Sequence, residues 1–154
     1  MIEIRRCSYN AVGTTARRLV CIFLMCTLGL TGCALMSGHH FNAASAEWQV
    51  RTGQLQYRTG GMTVVGDVLV RSSKGGDFEL TFSKGPGVNL FMIQQDATNA
   101  QVKSSLSRLS WSGPTEQAPT QLRGWLSLRE RLLAAPEQRV IRHTAGNERF
   151  VFRF

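Results

Sequence analysis

Phe78-Glu79-Leu80-Thr81-Phe82-Ser83 alternates large apolar and small or charged side chains without a lapse, and this stretch decides the fold. Successive side chains of an extended strand point to opposite faces, so Phe78, Leu80 and Phe82 are expected to face a core while Glu79, Thr81 and Ser83 face water. Glycine-rich segments bound it on both sides. Ser72 to Asp77, with Lys74-Gly75-Gly76 at its centre, and Lys84-Gly85-Pro86-Gly87 both read as turns. Upstream, Val64, Gly66, Val68 and Val70 share one face of a second strand, and Gly60-Gly61 joins it by a hairpin to an extended stretch bearing Trp48, Val50, Leu55 and Tyr57. The apolar face of that first stretch switches at Gly53, a natural place for a bulge or bend.

Downstream, Val88 to Ile93 is apolar on both faces except for Asn89, which suits a strand that is central or covered on both sides. Asp96 to Asn99 reads as a turn, Ala100 to Lys103 as a short fifth strand, and Ser104-Ser105-Leu106-Ser107 as a polar edge or loop. After Trp111 the run Ser112-Gly113-Pro114 breaks the pattern, and a polar loop leads to Pro119. Pro119 can open a helix in which Leu122, Trp125, Leu126, Arg129 and Leu133 fall at helical spacing, with Leu128 and Leu132 on the neighbouring flank, until Pro136 stops it. Arg139 to Thr144, a turn at Ala145-Gly146-Asn147 and Arg149 to Phe154 form a closing hairpin. Connections this short favour antiparallel pairing. The expected domain is therefore α+β: a curved antiparallel sheet, an open half-barrel of about seven strands, with one main helix across its concave face.

The first third of the chain has a different character. Leu19 to Leu30 is a run of 12 residues, apolar except for Thr27 and Gly29, preceded by Arg5, Arg6, Arg17 and Arg18. A membrane-spanning helix needs about 20 apolar residues, so this run reads as the apolar centre of a secretory signal. Arg17-Arg18 also fits the start of a twin-arginine export signal, but Leu19-Val20-Cys21 does not continue that motif well. The leader closes on Leu30-Thr31-Gly32-Cys33, which resembles the lipobox of bacterial lipoproteins. That resemblance implies cleavage before Cys33, a diacylglyceryl thioether on its sulfur and acylation of the new amine. Two or three chains make a stable anchor where one is marginal, at about 0.8 kcal/mol per buried methylene. Ala34, where an aspartate would favour retention in the inner membrane, implies an outer-membrane lipoprotein facing the periplasm.

The expected organisation is a signal peptide over 1–32, a lipidated Cys33 with a flexible tether to residue 46, and one domain over 47–154. Its 108 residues suffice for a single core. Cys7, Cys21 and Cys26 fall in the leader, so the mature domain has no disulfide, thiolate metal site or thiol nucleophile of its own. Without the leader, fourteen basic residues face nine acidic ones, a net of +5, scattered rather than gathered into the stripe that nucleic-acid binding requires. His39 and His40 sit in the tether with too few companions for zinc, and His143 reads as a surface side chain on a strand. No serine among Ser104, Ser105, Ser107, Ser110 and Ser112 sits in a nucleophile elbow, and Glu130 between Arg129 and Arg131 reads as a paired surface charge. No enzyme, metal or cofactor beyond the covalent lipid is expected.

Lipidated cysteine, tether, strand meander, helix after the fifth strand and closing hairpin together resemble the LolA/LolB superfamily of lipoprotein carriers and receptors. The stretch from Gly66 to Val102 is most similar to the lipidated receptor branch: Phe78-Glu79-Leu80-Thr81-Phe82, a glycine-proline turn, an apolar strand at Leu90 to Ile93 and an acidic turn at Asp96. The resemblance implies an unclosed barrel with a helical lid over an apolar cavity for acyl chains or lipoprotein cargo. The loops Ser72 to Asp77 and Lys84 to Gly87 hold no exposed leucine of the kind the receptors use, which points to a reduced relative. Phe78, Leu80, Phe82, Leu90, Met92, Trp125 and Leu126 are the candidates to line such a cavity; equally, they are the residues a sheet with one helix needs for its core. The alternative function is a lipid-anchored module that supports envelope assembly by offering a sheet edge to a protein partner.

Overall fold

The structure, a computed structural model, describes residues 39–154; the leader, Cys33 and residues 34–38 lie outside the described residues. The expected α+β architecture is present. Eight strands form one antiparallel sheet: β1 Gln49–Thr59, β2 Met62–Ser72, β3 Phe78–Ser83, β4 Asn89–Gln95, β5 Asn99–Ser104, β6 Leu109–Pro114, β7 Val140–Ala145 and β8 Glu148–Arg153. Their order is β6-β5-β4-β3-β2-β1-β8-β7, so β6 and β7 are edges and the sheet does not close. Between β6 and β7 the chain makes a 3-10 turn at Thr115–Gln117 and two short helices, α1 Thr120–Leu126 and α2 Leu128–Leu133, which meet at Ser127 and form one helical layer.

The alternation of β3 is realised in full, with Phe78, Leu80 and Phe82 at most 1% exposed and Glu79, Thr81 and Ser83 half-buried. Across the sheet the same face carries Leu55, Val68, Val70, Phe91, Ile93, Val102, Ile141, Phe150 and Phe152, all buried under the helices. The helices contribute Leu122, Trp125, Leu126, Leu128 and Leu132 to this core. Arg129 shares the sequence spacing of these leucines because its guanidinium docks rather than packs. Its Nε and an η nitrogen donate to the Gly76 carbonyl at 3.0 and 2.8 Å, tying α2 to the β2–β3 turn.

Curvature follows from one indole. Strands β4 and β8 are four steps apart, which in a flat sheet is roughly 19 Å. Yet Phe91 of β4 stacks on Trp125 at 3.9 Å between centroids and Phe150 of β8 meets it edge-on at 5.0 Å, with Tyr57 at 4.8 Å and Phe82 at 6.1 Å between them. The sheet is curled around that side chain. Gly66 and Gly53 permit close approaches on the inner face, since a Cβ at Gly66 would stand 2.1 Å from the Ser83 carbonyl oxygen and one at Gly53 2.2 Å from that of Arg153.

Four details differ from the sequence reading. The eighth strand is Leu109–Pro114, whose serine, glycine and proline content hides it; as an edge it can accept Pro114 at its end. No bulge occurs at Gly53, where the β1–β2 register runs unbroken from Gln49 to Thr59. Val50 therefore lies on the outer face, 57% exposed, and Arg51 takes the inner position, its guanidinium 3.7 Å above the Phe154 ring and donating to the Ala135 carbonyl. β4 is interior to the sheet but covered on one face alone: Met92 is 39% exposed, and Val88 lies in the preceding loop, 52% exposed.

At the end of the sheet that holds the β2–β3 and β4–β5 turns, residues read as tether lie against the domain. His39 pairs with Asp96, and Asn42 donates to Asp77 at 3.2 Å. Asp96 also accepts from the backbone N–H groups of Thr98 and Asn99, both at 2.8 Å, closing the expected turn. Burial pushes the Asp96 carboxyl up, but the two backbone donors and His39 outweigh it and hold it at about 2. Because that value is depressed, the stability it contributes is present above the ordinary carboxylate range and lost as pH falls toward 2. Two outcomes are expected in thermal melts of residues 37–154. Gly66→Ala should cost about 1–3 kcal/mol through overpacking, and Asp96→Asn should remove part of the wild type's loss of stability between pH 4 and about 2.

Candidate functional site

At the other end of the curled sheet, the β1–β2 hairpin tip, the β5–β6 loop, the β7–β8 turn and α1 surround a half-open cleft of about 860 Å³. That volume falls within the range of small-molecule sites. Trp125, Phe91 and Leu122 form its apolar floor, and Leu106, Leu109 and Met62 rise along its sides. Polar groups enter from α1 and from the β7–β8 turn, among them Arg123, Asn147 and Glu148.

The geometry of α1 depends on two small residues. Gly124 sits in the helix interior, where glycine costs about 1 kcal/mol relative to alanine. The cost has a cause: a Cβ there would stand 2.0 Å from Glu148 Oε2 and 3.3 Å from the Ala145 side chain. Ser127 ends the helix. Its hydroxyl lies 2.7 Å from the Gly124 carbonyl oxygen and 2.8 Å from His143 Nε2, a back-bonded arrangement that bends helices and here separates α1 from α2.

His143, expected at the surface, is thus half-buried and joined to a helix. Burial, and then the positive charge of Arg131, push its pKa below the ordinary value. Among the described residues no carboxylate bonds its Nδ1, so Ser127 and His143 form a pair without the third member that would orient a base. Nor do any three His, Cys, Asp or Glu side chains gather as a metal site among those residues.

Tyr57 and Glu148 make the other polar contact of the cleft. The Tyr57 hydroxyl donates to Glu148 Oε1 at 2.6 Å. Burial, reinforced by the adjacent carboxylate, pushes the phenol up to about 12. Burial also raises Glu148, against the opposing effect of the Tyr57 hydrogen bond.

Of the seven residues proposed from the sequence to line a cavity, Trp125 alone borders this one. Phe78, Leu80, Phe82 and Leu126 belong to the sealed core at 0–4% exposure, filling the space between sheet and helices. Leu90 is the extra residue where the β3–β4 register shifts between Phe82 and Ser83, and it packs half-buried against the core. Met92 lies on the outer face, away from the helices. Leu106 and Leu109 were missed because a loop and an edge strand give them no periodic signature. A wall built by non-local closure leaves no local pattern, although Leu106 inside a serine run was an isolated apolar signal.

No protein-family model matches the chain, and no curated protein matches it either.

Trp125→Ala should cost about 3–5 kcal/mol, since it removes the side chain around which the sheet curls. A second expectation concerns alkaline pH. The Tyr57 phenol is raised above its unfolded value of 10.0, so its contribution is complete below pH 10 and is lost as pH rises toward about 12. Tyr57→Phe should flatten that part of the stability profile in circular-dichroism melts.

Proposed function

We propose that this chain is a lipid-anchored envelope protein, held at the outer membrane by acyl chains on Cys33, whose periplasmic domain binds or transfers an acyl chain in the cleft beside Trp125. The observation that carries this reading is the cleft itself: an unfilled, mainly apolar space of about 860 Å³ at the open end of a curled sheet. Each methylene moved there from water contributes about 0.8 kcal/mol, so a chain of ordinary length has ample drive to enter. The leader, Leu30-Thr31-Gly32-Cys33 and the unclosed sheet support the same reading, in line with the resemblance to the LolA/LolB carriers and receptors. His39, six residues after Cys33 in the sequence, pairs with Asp96 at the end of the sheet opposite the cleft.

A second reading draws on the two edges. β6 and β7 each have one side of the backbone ladder without a strand partner, and a partner's strand could extend either. Mass spectrometry of lipids extracted from the purified leader-free domain separates the two. Bound acyl lipid in the wild type, lost in Leu109→Asp with melting behaviour retained, is expected. An empty wild-type domain that co-purifies with an envelope protein would favour the edge. The anchor has its own test: labelled palmitate should be incorporated into the wild type and not into Cys33→Ser, and incorporation in neither would remove the lipoprotein assignment.

A further inference from the structure

Glu148 has one carboxylate oxygen committed and the other open. Oε1 accepts from Tyr57, whereas Oε2 lies against the backbone of Gly124 and has no hydrogen-bond donor among the described residues. Nor is it sealed into the core, since Glu148 is half-buried and borders the cleft. None of the charged groups near it forms an ion pair with it. Arg123 of α1 also borders the cleft but forms no ion pair with Glu148, His143 of β7 is occupied by Ser127, and Arg131 of α2 acts on His143. Arg58 of β1 and Arg149 of β8 alternate onto the exposed outer face. The only ion pairs among the described residues are His39 with Asp96 and Arg71 with Glu79, both away from the cleft.

We propose that the cleft selects amphiphiles with a cationic head group, an ammonium held by Glu148 Oε2 while its hydrocarbon chain lies along Leu106, Leu109, Leu122 and Trp125. The inference rests on the acyl-chain reading of the cleft and adds the chemistry of the head. A carboxylate partly withdrawn from water gains most from a charged donor, because charge-assisted hydrogen bonds are roughly twice as strong as neutral ones. Tyr57 fixes the carboxylate, and the absence of a side chain at Gly124 gives it room beside the helix. The mature chain carries a net charge of +5, so its overall field favours anionic amphiphiles. A preference for a cation must therefore come from a local group, and Glu148 is the one acidic residue bordering the cleft.

The test titrates the full chain with dodecylammonium, dodecanol and dodecanoate below their micelle concentrations, read by calorimetry near neutral pH. Dodecylammonium should bind about ten-fold more tightly than dodecanol, a step expected of one charge-assisted hydrogen bond, and dodecanoate should bind more weakly than either. Glu148→Gln keeps an acceptor for Tyr57 and should abolish the preference for ammonium, lowering ammonium affinity by more than dodecanol affinity. Should that variant fail to fold, the wild type's ammonium affinity still decides: it should fall as Glu148 is protonated in acid, and by more than dodecanol affinity falls. Equal binding of ammonium and alcohol, a preference for dodecanoate, a preference that survives Glu148→Gln or an ammonium affinity indifferent to acid would overturn the head-group inference alone. Failure of all three probes to bind would overturn it together with the acyl-chain reading.

Discussion

Trp125 touches rings from β1, β3, β4 and β8, and a sheet can bring those four strands to one indole only by curling. The rest of the molecule depends on that contact. A single bulky side chain, projected from a helix only seven residues long, fills the middle of the concave face, and Leu122, Leu126, Leu128 and Leu132 of the same helical layer pack around it. The curl also accounts for the cleft. Trp125 and Phe91 fill the middle of the concave face; past them toward the hairpin tips, the start of α1 and the loops border a cleft. Core and cleft are one surface, filled in one part and open in the other.

Around this centre the two ends of the sheet are held differently. The end with the β2–β3 and β4–β5 turns is tied by polar contacts: Asp96 with two backbone donors and His39, Arg129 with Gly76, Arg51 with the carbonyls of Ala135 and Gln138; Gln95 Oε1 and Thr115 Oγ1 are also buried there, without a partner among the described residues. At the cleft end, Glu148 Oε2 has no donor among the described residues, Gly124 lies inside a helix at a cost in propensity, and Ser127 joins that helix to His143.

How far the fold could be read in advance varied with the source of each signal. The Phe78–Ser83 strand, the turns at Gly60-Gly61 and Gly75-Gly76, the helix breaker at Pro136 and the final hairpin are local features, fixed by side-chain alternation and by glycine or proline at the required places. β6 was illegible because Ser110, Ser112, Gly113 and Pro114 have the composition of a loop, and β5 alone recruits them into the sheet. Val50 misled because a face switch suggested a bulge, whereas continuous pairing with β2 turned it outward and set Arg51 over Phe154. For the site, helical spacing exposed Trp125 and Leu122, but the hydrogen bond between Tyr57 and Glu148 joins residues 91 positions apart and exists only because β1 pairs with β8.

The chain alone thus determined what short-range physics can settle: an antiparallel meander followed by one helical segment and a closing hairpin. Tertiary structure decided which apolar residues are filler and which border open space: Phe78, Leu80, Phe82 and Leu126 are sealed in the core, whereas Leu106, Leu109 and Leu122 line the cleft. It also decided the electrostatics of the cleft. A carboxylate has no special character in a sequence; burial against Gly124, with Tyr57 on one oxygen and no cation on the other, gives Glu148 its character, and curvature of the sheet brings those groups together.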